Sequence, residues 1–81
     1  MSGVDLSHAV LENADMTDAH LEGAMLDGVS ARSAKLVRAN LTGATMRGAD
    51  LAGADLTGAR LTKVDRSTAN LQGAKLAGVV E

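Results

Sequence analysis

Hydrophobic and polar positions follow one another along this chain with a period of five. The stretch from residue 39 to residue 62, ANLTGATMRGADLAGADLTGARLT, shows it best. Alanine stands at Ala39, Ala44, Ala49, Ala54 and Ala59, and a large apolar residue follows each by two positions, at Leu41, Met46, Leu51, Leu56 and Leu61. Extended both ways, the register covers the chain without insertion or deletion. The small position, from Val4 to Val79, holds only Ala or Val, and the large position is broken only by Ala31, Arg66 and Glu81. All 9 glycines occupy the last position of the unit. On an α-helix five residues overshoot a full turn by about 140°, which would smear the apolar set around the axis. On a continuous strand an odd period would turn successive units to opposite faces. The chain must therefore turn once per unit: a minimal in-out-in strand triplet, then a two-residue corner.

The corner's second residue is most often Gly, as a type II turn with positive φ requires. Asn13 and Asp18 tolerate the same left-handed conformation. At His8, Ser33, Arg38, Lys63 and Thr68 a type I-like corner is expected instead. The number of units per coil follows from charge. Residues 1–27 carry Asp5, Glu12, Asp15, Asp18, Glu22 and Asp27 without a Lys or Arg, and residues 28–47 carry Arg32, Lys35, Arg38 and Arg47 without an acid. Shifted by about twenty residues the sets oppose each other, as neighbouring strands favour: Glu12 with Arg32, Asp15 with Lys35, Asp18 with Arg38, Asp27 with Arg47. The column Asp15, Lys35, Asp55, Lys75 alternates in sign throughout. Four units per coil is the resulting expectation.

Units such as Ala39-Asn40-Leu41-Thr42-Gly43, Ala49-Asp50-Leu51-Ala52-Gly53 and Ala54-Asp55-Leu56-Thr57-Gly58 resemble the A(D/N)LXX motif of pentapeptide-repeat proteins. The resemblance runs through essentially the whole chain. It implies an all-β fold, a right-handed quadrilateral parallel β-helix (solenoid) of about four coils of four pentapeptides, with residues 1–81 as a single domain. For function it implies several things at once. Some members resemble duplex DNA and bind DNA gyrase, whereas others are effectors or thylakoid-lumen proteins. This chain departs from the long members in lacking their central Phe and in showing no capping or dimerisation helix after Val80.

Composition narrows the chemistry. Phe, Tyr, Trp, Pro and Cys are all absent from the 81 residues, so no aromatic side chain fills the core and no thiolate holds a metal. The lack of cysteine suits a cytoplasmic location. The first ten residues, MSGVDLSHAV, show no basic segment followed by an apolar run, and no signal peptide or membrane span is expected. His8 and His20 lie at outward positions without a second imidazole at ligand spacing, so neither a metal nor a cofactor site is expected. Asp50 and Asp55 arise from the repeat and fall in different columns, and no catalytic residue is assigned. Gly53 and Gly58 mimic the start of a phosphate loop, but Ala59-Arg60 stands where Lys-Ser/Thr is required. Asn40-Leu41-Thr42 reads as a glycosylation sequon that the repeat itself generates. Arg66 is the sharp exception, an inward arginine in the column of Leu6, Leu26 and Met46. A lone guanidinium there is costly, and Glu81 or the terminal carboxylate is its expected partner.

The function expected is a non-enzymatic structural or protein–protein interaction module. Short solenoids expose apolar interior and unpaired strand edges at both ends. The candidate end-to-end interface comprises Val4, Leu6 and Leu11 at one end and Arg66, Leu76, Val79, Val80 and Glu81 at the other. The partner expected is a second copy, as a dimer or an end-to-end stack, or an unknown protein; a membrane is not expected. Six acids lie within residues 1–27, and the rest of the chain has eight bases against four acids, which favours acidic end against basic end. The alternative is a DNA-mimic type binder or inhibitor of a DNA topoisomerase. Duplex DNA carries about one negative charge per 1.7 Å, so a rod of four coils, on the order of 20 Å tall, would need roughly eleven. The net charge is only -2. Nucleic-acid binding through Arg32, Lys35, Arg38 and Arg47 lacks any aromatic platform for stacking bases.

Overall fold

The computed structural model describes residues 3–81. With one exception in the last coil, the outward residue of a triplet forms a parallel bridge with the residue twenty positions on, beginning with Asp5 to Met25, Val10 to Ser30, Asp15 to Lys35 and His20 to Asn40. Four columns result: Asp5, Met25, Thr45 and Asp65 in the first; Val10, Ser30, Asp50 and Asn70 in the second; Asp15, Lys35, Asp55 and Lys75 in the third; His20, Asn40, Arg60 and Val80 in the fourth. A regular rung is closed from both sides. Leu6 N–H donates to the Met25 carbonyl at 2.8 Å, and Met25 N–H donates back to the Val4 carbonyl at 2.8 Å. The principal extents are 26 × 23 × 19 Å, and four coils at about 4.8 Å spacing account for the shortest.

Every corner closes through a bond between residues three apart, as when Ala9 N–H donates to the Leu6 carbonyl at 3.0 Å. The second corner residue has positive φ throughout, glycine or not, with one exception. His8 (63°), Ser33 (59°), Arg38 (57°) and Lys63 (62°) are left-handed like Asn13 and Asp18, so the type I-like corners expected at these four do not form. A non-glycine residue in this region costs about 1–2 kcal/mol. A different corner would throw its triplet out of the twenty-residue register and leave several backbone groups unpaired, at about 1–3 kcal/mol each. Register wins. The exception is Thr68, whose β-branched side chain tolerates positive φ least.

The small and large columns point inward and form one continuous core. Leu21, Ala34, Leu41 and Ala54 are fully enclosed, and among the described residues no polar or charged side chain is buried. Burial fades towards both ends, where Val4, Leu6, Leu11 and Met16 on one side and Leu71, Ala74, Leu76 and Val79 on the other are half-buried against the core.

One rung is open. The first column pairs Asp5 to Met25 and Met25 to Thr45, but Thr45 has no bridge to Asp65. The two backbone bonds that would join Ala44 and Met46 to Asp65 are absent, and Gly48 N–H turns from the Ser67 carbonyl to the Thr68 hydroxyl oxygen at 3.2 Å. The neighbouring bonds persist, Gly43 N–H to the Thr62 carbonyl and Leu51 N–H to the Asn70 carbonyl, so the defect is confined to one stretch of the last coil. Arg66, which breaks the large position, and Thr68, the corner without positive φ, both lie in it.

Candidate functional site

Two kinds of surface stand apart from the regular repeat: the coil ends and the open rung. At the N-terminal edge the amides and carbonyls of Asp5, Val10, Asp15 and His20 have no backbone partner among the described residues. At the C-terminal edge the amides of Leu71, Leu76 and Glu81 and the carbonyls of Ala69, Ala74 and Val79 have no backbone partner among the described residues. Apolar groups accompany both edges: Val4, Leu6 and Leu11 are half-buried at the first, as are Leu76 and Val79 at the second, where Val80 is 48% exposed. The structure brings Arg66 and Glu81 together across the last coil, with the Arg66 guanidinium donating to Glu81 Oε1. Arg66 remains 26% exposed, so this is a half-buried ion pair at the rim of the C-terminal mouth.

The open rung is a cleft of about 100 Å³ lined by Gly43, Ala44, Thr45, Met46, Arg47, Lys63 and Asp65. Sequence reasoning did not place a site here. Its signal was nevertheless present, since Arg66 and Thr68 break the large position and the corner position within one unit.

The charge pattern that revealed the coil length is only partly realised as ion pairs. Arg38 grips Asp18 with two bonds, Nε to Oδ1 at 2.8 Å and an η-nitrogen to Oδ2 at 3.2 Å. Arg32 does not meet Glu12; it reaches sideways to Asp50 at 3.2 Å. Asp27 accepts the Arg47 backbone N–H at 2.9 Å and leaves the guanidinium free. Asp15 and Lys35 are bridged through their backbones without an ion contact. Side chains at corners swing, whereas backbone register does not, so the spacing held where the partners changed.

The outward Asp or Asn of the motif has a job that the pattern alone did not disclose. It accepts the backbone N–H two residues on: Asp5 from Ser7 at 3.0 Å, Asp15 from Thr17 at 3.1 Å, Asn40 from Thr42 at 3.1 Å, Asp65 from Ser67 at 2.9 Å. Where Thr follows, its hydroxyl donates to the same oxygen, as Thr17 does to Asp15 at 2.7 Å. These Asx turns bend the chain into each corner. The sequon at Asn40 is one of them, with Thr42 N–H and its hydroxyl both bound to Asn40 Oδ1.

These bonds hold several carboxyls below their ordinary value of 3.8: the Thr17 hydroxyl acts on Asp15, the Arg38 guanidinium on Asp18, the Thr57 hydroxyl on Asp55, and the Ser7 and Ser67 amides on Asp5 and Asp65. A carboxyl that binds its proton less tightly when folded stabilises the fold above the unfolded value, and that stability is lost as pH falls through the folded value. Thermal melts between pH 7 and pH 2 are therefore expected to be flat above about pH 5 and to drop steeply below about pH 4. Asp15→Asn with Asp55→Asn should flatten the acid limb, because an amide oxygen still accepts the Thr bonds, as Asn40 does.

No cluster of His, Asp and Glu among the described residues is arranged to hold a metal ion. The His8 ring lies over Gly28, its Nδ1 only 2.5 Å from where a side chain would begin. His20 Nδ1 stands 3.7 Å from Glu22 Oε1, beyond hydrogen-bond reach. Asp50 accepts Ala52 N–H, Arg32 and Asn70, and Asp55 accepts Thr57, so both carboxylates serve the scaffold.

The family pattern described as pentapeptide repeats matches residues 1–30 and 26–62, in 8 copies. The chain belongs to the pentapeptide repeat family. Members of that family form right-handed β-helices, and the pentapeptide repeat chain described here superimposes on solved ones. A pentapeptide repeat protein from the Arabidopsis thaliana thylakoid lumen is 37% identical, with a TM-score of 0.87 over 96% of this chain and 58% of its own. One from Nostoc PCC 7120 is 42% identical, again with a TM-score of 0.87, over 89% of this chain and 60% of its own. This chain thus spans about three-fifths of the length of these relatives. QnrB1, a plasmid-mediated fluoroquinolone resistance protein, shares the fold at 22% identity and a TM-score of 0.52. No match was found among curated proteins. Among the described residues no helix is long and apolar enough to cross a membrane.

Proposed function

We propose that this pentapeptide repeat chain is a non-enzymatic interaction module, a quadrilateral β-helix that associates through its coil ends with further copies of itself. The observation that carries this reading is the complementarity of the two edges. The free amides of Leu71 and Leu76 and the free carbonyls of Ala69 and Ala74 are the groups a fifth coil would use. The free groups of Val10 and Asp15 at the opposite edge are what such a coil would offer. Continuing the twenty-residue register across a head-to-tail junction sets Asn70 against Val10, Lys75 against Asp15 and Val80 against His20 of the second copy. Lys75 against Asp15 extends the alternation already present as Asp15, Lys35, Asp55 and Lys75. An N-to-N contact would oppose two acidic ends, whereas head-to-tail contact sets the acidic end against the more basic remainder. A cytoplasmic location is part of the proposal, supported by the absence of cysteine.

The topoisomerase-inhibitor reading has less behind it. Likeness to QnrB1 at 22% identity is a likeness of fold. A net charge of -2 is also far from the charge density of the duplex that a mimic would replace.

Light scattering at several protein concentrations and two salt levels tests the proposal. The expected result is a mass that grows with concentration and falls back at high salt. A dimer that forms equally well at high salt would point to a symmetric C-terminal contact, and a well-folded monomer throughout would refute self-association.

A further inference from the structure

We propose that the open rung of the last coil is a binding site for a single small oxyanion, a phosphate or carboxylate group. In the closed rung one coil below, Leu26 N–H donates to the Thr45 carbonyl at 2.8 Å and Thr45 N–H donates to the Ala24 carbonyl at 3.0 Å. The equivalent donors one coil on, Met46 N–H and Asp65 N–H, have no backbone acceptor among the described residues. By the register of the column both belong to the gap between the third and fourth coils. The Ala44 and Asp65 carbonyls at the same gap also lack a backbone donor among the described residues, so the preference for an anion rests on the two amides together with the cations beside them.

Cationic side chains stand at the same gap. Arg47 and Lys63 line the cleft, and among the described residues neither has a carboxylate within ion-pair distance, whereas Arg32, Arg38 and Arg66 each do. The Arg47 backbone is fixed by its bond to Asp27, which holds the residue at the cleft. Charge-assisted bonds from such groups to an oxyanion are about twice as strong as neutral ones. Asp65 is the opposing charge, but its Oδ1 is engaged by Ser67 N–H at 2.9 Å, and one carboxylate against two cations leaves a net positive site. Size limits the ligand. The cleft of about 100 Å³ is well short of the roughly 300 Å³ at which small-molecule pockets begin, so it suits one oxyanion and not a nucleobase or an aromatic ring.

The test is a titration of the isotope-labelled full chain with inorganic phosphate at constant ionic strength, following backbone amides by NMR. The Met46, Arg47 and Asp65 amides are expected to shift saturably, while Leu26 and Asp50, in closed rungs, stay still. Arg47→Ala with Lys63→Ala should weaken binding by about fivefold or more. Asp65→Asn, which keeps an acceptor for Ser67, should tighten it about threefold. Arg66→Leu combined with Thr68→Gly, in which exchange protection of the Met46 and Asp65 amides reports a closed rung, should abolish it. A parallel acetate titration separates the sources. A stronger response to phosphate assigns the site to phosphate groups, and an equal or stronger one to acetate assigns it to carboxylates. Amides at the gap that do not move, that move no more than those of closed rungs, or that respond identically in the variants would overturn the proposal.

Discussion

Leu41→Ala is expected to destabilise the chain by about 3 kcal/mol, a large part of what a domain of this size possesses. Leu41 is fully enclosed, with Leu21 one coil below and Leu61 one coil above, at 0% and 3% exposure. Its loss removes apolar area and leaves a void that stacked neighbours cannot collapse into, because the rungs on either side fix their spacing. The denaturant midpoint should fall with little change in slope. Leu76→Ala provides the contrast, since Leu76 is only half-buried against the core at the C-terminal end. It should cost less than half as much. If it costs as much as Leu41→Ala, and does so only at high protein concentration, a second copy covers that end. The comparison therefore also tests the stacking proposal by a route independent of mass.

The energetic logic of such a chain is local. Each unit supplies one small and one large inward side chain, and each rung supplies backbone bonds to the coil above and below. Without aromatic residues no single side chain dominates, and stability rises by nearest-neighbour terms along the axis. Interior positions consequently matter more than terminal ones, and what is missing from one coil is felt mainly by the coils next to it.

Reading architecture from sequence succeeded here for a physical reason. A period of five with Ala and Leu two apart can be satisfied only by turning once per unit, and the alternation of Asp15, Lys35, Asp55 and Lys75 is a direct imprint of strand register. What the pattern concealed were outcomes of competition. At His8, Ser33, Arg38 and Lys63 residue preference argued for an ordinary corner, and the pairing of adjoining triplets imposed the left-handed one. Arg32 was assigned Glu12 and took Asp50, since a long corner side chain can choose among carboxylates that a backbone cannot. The Asx turns were legible only in part. The spacing of Asp15 to Thr17 and Asn40 to Thr42 is visible in the sequence, yet the same Asp also reads as a plain solvent-facing residue. Of the candidate interface, Arg66 and Glu81 were paired from their positions in the repeat, and the structure joins them. The cleft beside them was not read, because it arises from two irregular residues acting together on one rung.

Arg66→Leu combined with Thr68→Gly is expected to close that rung and stabilise the chain by about 2 kcal/mol. Leucine at position 66 continues the inward column of Leu6, Leu26 and Met46 and releases an ion pair whose partner, Glu81, is already 66% exposed. Glycine at position 68 lets the corner take the positive φ found at every other unit. The Ser67 carbonyl can then receive Gly48 N–H in place of the Thr68 hydroxyl, and Asp65 can bridge Thr45 as Asp55 bridges Lys35. Glycine's greater freedom when unfolded offsets roughly 1 kcal/mol of this gain. For a domain of this length the net corresponds to a midpoint about 10 °C higher. Hydrogen exchange separates the two contributions. If the corner holds the rung open, Thr68→Gly alone protects the Met46 and Asp65 amides. If the inward guanidinium does, protection comes with Arg66→Leu alone. Both amides remaining unprotected in the double variant would show that neither residue opens the rung, and the cause would then lie in the chain between Lys63 and Asp65.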